Sequence, residues 1–223
     1  MIWLFGTVVA ALLGAFIYWT IVITEGGYFG QKLVTYLYDK AAHKYDKLKE
    51  YNEADEYSYL AVPLRDALGY NFYGTVLDVA TGTGRLPLAM ASLPDFNGKL
   101  IGLDHSAKML AVARQHLPTL PLVQADATRL PFATDSLDTV TCLEAMEFLP
   151  VPKDGLLEMI RILTPGGILL TTNRVGWETK LMPGKTWTKN QLQTILKAQP
   201  IDQFVIVPWE TIYDQVWARK KLG

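Results

Sequence analysis

Apolar residues dominate the first two dozen positions, and no charged side chain occurs between Met1 and Thr24. A bilayer core requires about 20 apolar residues in a helix, so the pattern predicts a transmembrane helix over residues 1–24. Five lysines follow this segment before residue 50 and none precedes it, which favours a single-pass anchor with the body of the protein in the cytoplasm. A cleaved signal peptide or a buried helix is the alternative, but the segment lacks a basic start and a clear small-residue cleavage site.

After residue 24 the pattern of apolar residues changes from a continuous run to the spacing of an amphipathic helix. Residues 25–30 are rich in glycine and predict a hinge, and from residue 31 to about 68 apolar side chains recur at intervals of three and four. We therefore expect a hinge and a helical lid over residues 25–60, followed by a folded domain over residues 61–223.

Beyond residue 70, short apolar runs bounded by turn residues alternate with helical patterns near 85–92, 106–116 and 153–162. This alternation predicts an α/β, Rossmann-like fold with a seven-stranded, mostly parallel sheet. Pro165-Gly166-Gly167 predicts a turn into the fifth strand, and Thr188 is placed to cap a helix over 189–198. The last two strands lack a helix between them, so the last strand is expected to run antiparallel in a hairpin at the sheet edge. The predicted strands span 75–80, 99–104, 120–125, 138–143, 167–173, 203–208 and 212–218.

Composition narrows the possible functions. A chain of 223 residues can bury one α/β domain with a short extension. The net charge of −1 provides no long-range field for nucleic acid, so we expect no such partner. Cys142 is the only cysteine and the three histidines lack metal-site spacing, so we expect neither a disulfide nor a metal centre.

A glycine loop follows the first predicted strand, at the edge where parallel sheets bind ligands. Its candidate binding residues are Asp78, Ala80, Thr81, Gly82 and Gly84. The glycines permit tight turning and close approach of a ligand to the backbone. A dinucleotide would place its pyrophosphate at the following helix, where the charge of Asp78 brings no benefit, and Pro87 occupies the place of a third glycine. The loop therefore favours a nucleoside ligand that carries positively charged groups, such as an ammonium and a sulfonium.

Two further acidic residues end the next two predicted strands. Asp104 lies about 20 residues beyond the loop, where an acid holds the ribose hydroxyls of a nucleotide. Asp126 can accept a hydrogen bond from an adenine amino group, while the next backbone N–H meets a ring nitrogen. The alternative for Asp126 is the capping of a short turn. The ribose acid is common to nicotinamide and S-adenosylmethionine sites and does not distinguish them.

Segments 76–86, 100–106, 125–132, 136–143 and 163–170 resemble the successive motifs of class I S-adenosylmethionine-dependent methyltransferases, nearest to the quinone-biosynthesis C-methyltransferases and related small-molecule or lipid enzymes. The resemblance covers about residues 57–220 and implies S-adenosylmethionine as cofactor. It implies that the methionine part of the cofactor contacts Asp78, Ala80, Gly82 and Gly84, and that the ribose and adenine contact Asp104 and His105. It also implies that Asp126 and Ala127 contact the edge of the adenine, and that Leu143 and Glu144 lie under the sulfonium. Many members carry glycine at position 80, and alanine is acceptable there if φ stays negative.

The resemblance implies methyl transfer from S-adenosylmethionine to a small-molecule acceptor, and the anchor favours a membrane lipid or quinone. The alternatives are a soluble acceptor, a non-catalytic S-adenosylmethionine-binding scaffold in a membrane complex, and a nicotinamide oxidoreductase, which Asp78 disfavours. No catalytic residue is assigned. The candidates for a general base near the expected opening are Tyr38, His43, Tyr45, Glu144, Glu147 and Arg174.

Overall fold

A computed structural model describes residues 2–223, which contain one seven-stranded sheet in the order β3-β2-β1-β4-β5-β7-β6. Strands β1 to β5 pair in parallel, and β7 runs antiparallel to both β5 and β6. The expected mostly parallel sheet with an antiparallel last strand is therefore confirmed. The strands are β1 Thr75–Val79, β2 Lys99–Asp104, β3 Leu122–Gln124, β4 Leu137–Cys142, β5 Leu163–Arg174, β6 Ile201–Trp209 and β7 Tyr213–Lys220.

Helices flank the sheet, and two of them begin at side-chain caps, of which the one at Thr188 was predicted. The Ser106 hydroxyl accepts a hydrogen bond from the backbone N–H of Met109, and Thr188 forms a capping box with Gln191. The helices are α1 Ile2–Tyr18, α2 Gln31–Ala41, α3 Tyr45–Lys49, α4 Glu53–Glu56, α5 Val62–Leu68, α6 Arg85–Ala91, α7 Ala107–His116, α8 Pro152–Ile162 and α9 Lys189–Lys197.

Strand β5 begins earlier than the sequence pattern indicates. The residues predicted as a turn, Pro165-Gly166-Gly167, lie inside the strand as an irregularity, because the register with β4 shifts between Leu137 and Thr139. Gly166 has φ of +80°, which L side chains rarely adopt, so glycine permits the local bend without ending the strand.

The segment predicted as one long helical pattern is interrupted in the structure. A 3₁₀ turn over Ala42–Lys44 separates α2 from α3, and Glu50 ends α3 with φ of +52°. Asn52 then caps the N-terminus of α4 by accepting from the backbone N–H of Ala54. These breaks let the chain bend over the sheet edge, which a straight helix of the same length could not do.

Helix α1 continues as a π-helical turn, Trp19–Ile23. The span Trp3–Ile23 has 21 residues and a mean hydropathy of 2.1, which is long and apolar enough to cross a membrane. Its side chains from residue 3 to residue 18 are exposed, so it is not the buried helix of the sequence alternatives.

The glycine-rich stretch after α1 is a hydrogen-bonded turn rather than an extended connector. The backbone N–H groups of Gly26 and Gly27 bond to the carbonyls of Thr20 and Thr24. Trp19 Nε1 donates to the carbonyl of Leu181 at 2.9 Å and the Tyr28 hydroxyl donates to that of Pro183 at 2.7 Å. A hinge motion at this point would have to break these contacts, because the end of α1 is docked on the domain.

The chain order reverses between β1 and β4, which are neighbours in the sheet although β2 and β3 intervene in sequence. In open α/β sheets this reversal leaves a crevice at the carboxyl ends of the strands. The main core lies behind it, where Leu77, Val140 and Leu169 of the sheet pack on Leu156 and Met159 of α8.

Candidate functional site

A cavity lies at the carboxyl ends of β1, β2 and β4, under residues 31–51. The strand ends and the loops that follow them contribute most of its lining, including Asp78, Ala80, Thr81, Gly82, Asp104, His105, Ala125, Ala127, Leu143 and Glu144. The segment predicted as a lid contributes Val34, Thr35, Tyr38, Tyr45 and Tyr51. The structure thus brings together most of the residues that the sequence singled out.

Asp78 lies at the base of the cavity and is almost fully buried, with 5% of its surface exposed. Burial raises the pKa of its carboxyl to about 6, and the Thr141 hydroxyl, which donates to Oδ1 at 2.7 Å, partly opposes the rise. Described residues place no cation in hydrogen-bonding contact with this carboxylate. The base of the cavity is therefore an acid that a cationic ligand group would stabilise.

The glycine loop after β1 adopts positive φ at Ala80, Gly82 and Gly84, with values of +55°, +55° and +88°. The condition under which alanine is acceptable at position 80, a negative φ, is not met, because the chain turns sharply from β1 into the loop. A side chain on Gly82 would meet nothing within 4 Å, whereas one on Gly84 would meet Ala113 of α7 at 3.4 Å. Gly82 therefore leaves open space for a ligand, and Gly84 lets the loop lie close to α7.

The Thr81 side chain brings a buried hydroxyl into this loop, close to the Asp78 carboxylate. The Thr81 hydroxyl lines the cavity and makes no hydrogen bond of ordinary geometry to any described residue. Because a buried hydroxyl without a partner is costly, the loop is better matched to a bound polar ligand than to an empty cavity.

Asp104 ends β2 and holds the glycine loop in place. Its Oδ2 accepts from the Gly82 backbone N–H at 2.9 Å, and its Oδ1 accepts from that of Ser106 at 2.8 Å. Burial raises the pKa of this carboxyl and the two amides oppose the rise. Each carboxylate oxygen has a second lone pair, so the same side chain can still accept from hydroxyl groups of a ligand.

The third candidate acid occupies a different place. Asp126 Oδ1 accepts from both the backbone N–H and the hydroxyl of Thr128 at 2.8 Å, which is the turn-capping arrangement. Its neighbours Ala125 and Ala127 line the cavity, whereas Asp126 does not. His105 does line it, and its Nδ1 lies 2.8 Å from the Thr35 hydroxyl of α2.

Residues 31–51 are tied to the strand ends by their acidic side chains. The Thr83 hydroxyl donates to Asp46 and the Ser106 hydroxyl donates to Asp39, each at 2.5 Å. Beneath them Tyr38, Tyr45 and Tyr51 form a chain of rings with centroid distances of 5.8 and 6.1 Å. Burial raises the pKa of all three hydroxyls, so they are neutral donors at physiological pH.

Arg85 also lines the cavity, although the sequence pattern did not single it out. Its Nε donates to Glu56 at 2.5 Å, another nitrogen pairs with Glu144, and its guanidinium lies 4.3 Å from the Tyr51 ring centroid. Burial would lower the pKa of Arg85, but the paired carboxylates outweigh that effect and raise it. The sequence does contain one indication of this role. Arg85 lies in the first turn of α6, where a cation is unfavourable next to the positive end of the helix dipole, so acidic partners are expected nearby.

The candidates for a general base separate into two groups. Tyr38, Tyr45 and Glu144 line the cavity. His43 is exposed, Arg174 pairs with Glu178, and Glu147 is buried with its carboxylate accepting from the Tyr213 hydroxyl at 2.6 Å. The second group does not line the cavity, and burial raises the pKa of Glu147.

Residues 77–171 match the protein family described as methyltransferase domain. This segment of the chain, less than half of its length, is therefore similar to a methyltransferase domain. A demethylmenaquinone methyltransferase from Renibacterium salmoninarum is 35% identical over 139 residues, which cover 61% of this chain and 56% of that protein. The chain thus spans little more than half the length of this curated relative.

Solved structures show the same fold at low identity. A SAM-dependent methyltransferase from Aquifex aeolicus superposes with a TM-score of 0.62 at 18% identity, covering 82% of this chain and 98% of that one. The [4+2]-cyclase SpnF superposes with a TM-score of 0.65 at 19% identity, covering 86% and 96%. Family and fold support S-adenosylmethionine as the cofactor and an enzymatic role, as the resemblance implies. The cyclase shows that the fold alone does not determine the reaction.

Proposed function

We propose that this protein transfers a methyl group from S-adenosylmethionine to a small amphiphilic acceptor at a membrane, with a quinone or a lipid as the favoured class. The observation that carries the proposal is the cavity lined by a buried carboxylate with no cation bonded to it, an open glycine loop and a second carboxylate at successive strand ends. This arrangement fits an ammonium, a sulfonium and a ribose in order. The similarity to the demethylmenaquinone methyltransferase from Renibacterium salmoninarum supports the quinone class.

The residues divide by the part of the cofactor they would hold. We infer that Asp78 meets the ammonium group and Asp104 the ribose hydroxyls. Gly82 would provide open space and Thr81 a hydroxyl beside the methionine part. His105 and Ala127 would border the adenine, and Leu143 and Glu144 would lie near the sulfonium. Asp126 could still reach the adenine only with the carboxylate oxygen that Thr128 does not engage.

The bound cofactor would supply a reactive methyl group, and the protein would mainly align and desolvate the acceptor. Tyr38, Tyr45 and Tyr51 provide neutral hydroxyls and ring faces above the strand ends. Glu144 is already paired with Arg85, so alignment rather than proton abstraction is what this lining favours.

We propose further that residues 1–24 are a retained membrane anchor, residues 25–60 a cover over the cavity, and residues 61–223 the catalytic domain on the cytoplasmic side. Retention is supported by the docked end of α1: Ile23 is buried with Val34 and Phe148, two residues that line the cavity. Cleavage near residue 24 would remove part of that packing.

The test is methyl incorporation from radiolabelled S-adenosylmethionine, with purified full-length protein and a membrane lipid extract or an aqueous extract as acceptor. Label in the lipid fraction supports the proposal, and label in the aqueous fraction alone would favour a soluble acceptor. Tight cofactor binding without label in either fraction would favour a non-catalytic scaffold. Binding of NAD in place of S-adenosylmethionine would contradict the cofactor itself.

A further inference from the structure

The outer surface of α2, α3 and the 3₁₀ turn between them is basic. Lys32, Lys40, Lys44 and Lys47 are all exposed. Between residues 31 and 49 the only acidic side chains are two aspartates, and both bond to the domain rather than to these lysines. We call this outer surface, defined by the four lysines with Tyr36 and Leu48, the basic face.

The contacts of the domain explain where the two aspartates of this segment lie, but they do not explain where the four lysines lie. Asp39 and Asp46 hold the cover, residues 25–60, on the domain, because they accept hydrogen bonds from the hydroxyls of Ser106 and Thr83. The four lysines make no ion pair with any described residue. Folding of the domain therefore accounts for the aspartates but not for the outward clustering of the lysines.

Apolar and aromatic groups are interspersed with these charges. Leu48 is 67% exposed and Tyr36 is 52% exposed, with Lys40 Nζ lying 4.7 Å from the Tyr36 ring centroid. Exposed rings and leucines among lysines are typical of surfaces that lie at a lipid headgroup region.

The position of the basic face identifies its partner. Helix α2 begins at Gln31, and only seven residues separate it from the π-helical turn that ends the proposed membrane span. That end is fixed to the domain by the Trp19 and Tyr28 hydrogen bonds, so the basic face cannot move far from it. Cytoplasmic membrane surfaces carry anionic lipids, which attract clustered basic residues next to a span.

We propose that the basic face binds anionic phospholipid headgroups, so that the cover of the cavity rests on the membrane surface. Its inner side supplies Thr35, Tyr38 and Tyr45 to the cavity. An amphiphilic acceptor would then reach the cavity beside the lipid headgroups. This inference rests on the proposed anchor, and its test does not depend on methyl transfer.

The experiment uses full-length protein in nanodiscs of phosphatidylcholine alone or of an equimolar mixture with phosphatidylglycerol. Leu48→Cys carries an environment-sensitive fluorophore, and accessibility to aqueous iodide is measured. Cys142 is fully buried, so the unsubstituted protein serves as the labelling blank. Asp202→Cys, exposed on the edge strand β6 at the far side of the sheet from β3, is the matched control position.

We expect iodide quenching at position 48 to fall in the anionic nanodiscs and to recover in high salt, with no change at position 202. Replacing the four lysines by glutamine should abolish the difference, and replacing them by arginine should keep it. Cofactor affinity is unchanged in both variants, because none of the four lines the cavity.

Equal quenching at position 48 in the two lipids would refute the proposal, as would a lipid effect that survives the glutamine replacements. Protection by added heparin in neutral nanodiscs, without protection by anionic lipid, would assign the face to another polyanion. Failure to enter nanodiscs would overturn the anchor and the basic-face proposal together, and would leave the methyltransferase proposal standing.

Discussion

Replacing Asp104 by asparagine tests the ribose assignment and the loop geometry together. The carboxylate accepts from two backbone N–H groups, of Gly82 at 2.9 Å and of Ser106 at 2.8 Å. An asparagine amide has one oxygen, so one of these N–H groups would face an NH₂ group instead. Losing a charge-assisted bond and leaving a buried donor unpaired should lower the free energy of unfolding by about 2–4 kcal/mol. For a chain of this size the melting temperature should fall by on the order of 10 °C.

Cofactor affinity should fall as well. Hydrogen bonds from ribose hydroxyls to a charged acceptor contribute about 1.5–3 kcal/mol each, so affinity should weaken about 10- to 100-fold. Calorimetric titration with S-adenosylmethionine below the melting temperature measures this change.

The matched control is Asp138→Asn. Asp138 also accepts from a backbone N–H, that of Thr75 at 2.7 Å, but it lies at the opposite end of the strands from the cavity. It should lower stability without altering affinity. If Asp104→Asn binds S-adenosylmethionine with normal affinity, the ribose assignment is refuted. If both variants lose affinity equally, the loss reflects general destabilisation of the fold and not a ribose contact.

Three further predictions concern single residues around the cavity. Ala80→Gly should raise the free energy of unfolding by up to about 1 kcal/mol, because alanine at φ of +55° is strained; a lower melting temperature would contradict this. Since burial raises the folded pKa of Asp78 to about 6, ionising it costs stability progressively as pH rises from its ordinary pKa to 6. The stability of Asp78→Asn relative to wild type should therefore rise by about 3 kcal/mol between pH 3 and pH 8, while S-adenosylmethionine binding weakens. The wild-type affinity should accordingly drop as pH falls below 6, and a flat calorimetric profile would argue against the ammonium contact. Arg85→Met should lower the free energy of unfolding, measured by chemical denaturation, by about 3–5 kcal/mol, because it leaves Glu56 and Glu144 without their cation. Adding Glu144→Gln should restore part of that loss. If the effects of the two substitutions simply add, Arg85 and Glu144 are not coupled.

The sequence by itself determined what depends on neighbouring residues. Strand β2 was predicted with its observed bounds, Lys99–Asp104, and the cap at Thr188 was predicted correctly. Apolar periodicity and capping act within a few residues of one another, so a linear pattern contains them. Because strands of a parallel sheet end at the same edge, the sequence also indicated that Asp78 and Asp104 would share one cavity.

Only the tertiary structure decided which groups meet across the chain. The positive φ of Ala80 results from the loop passing between β1 and β2, where the backbone N–H of Gly82 is held by Asp104. The turn after α1, which glycine content alone suggested was a hinge, is fixed by Trp19 donating to Leu181, a residue 162 positions away. Arg85 lies between acids that are 29 and 59 positions distant. Such contacts form only when the sheet and the cover have packed, and no local pattern specifies them.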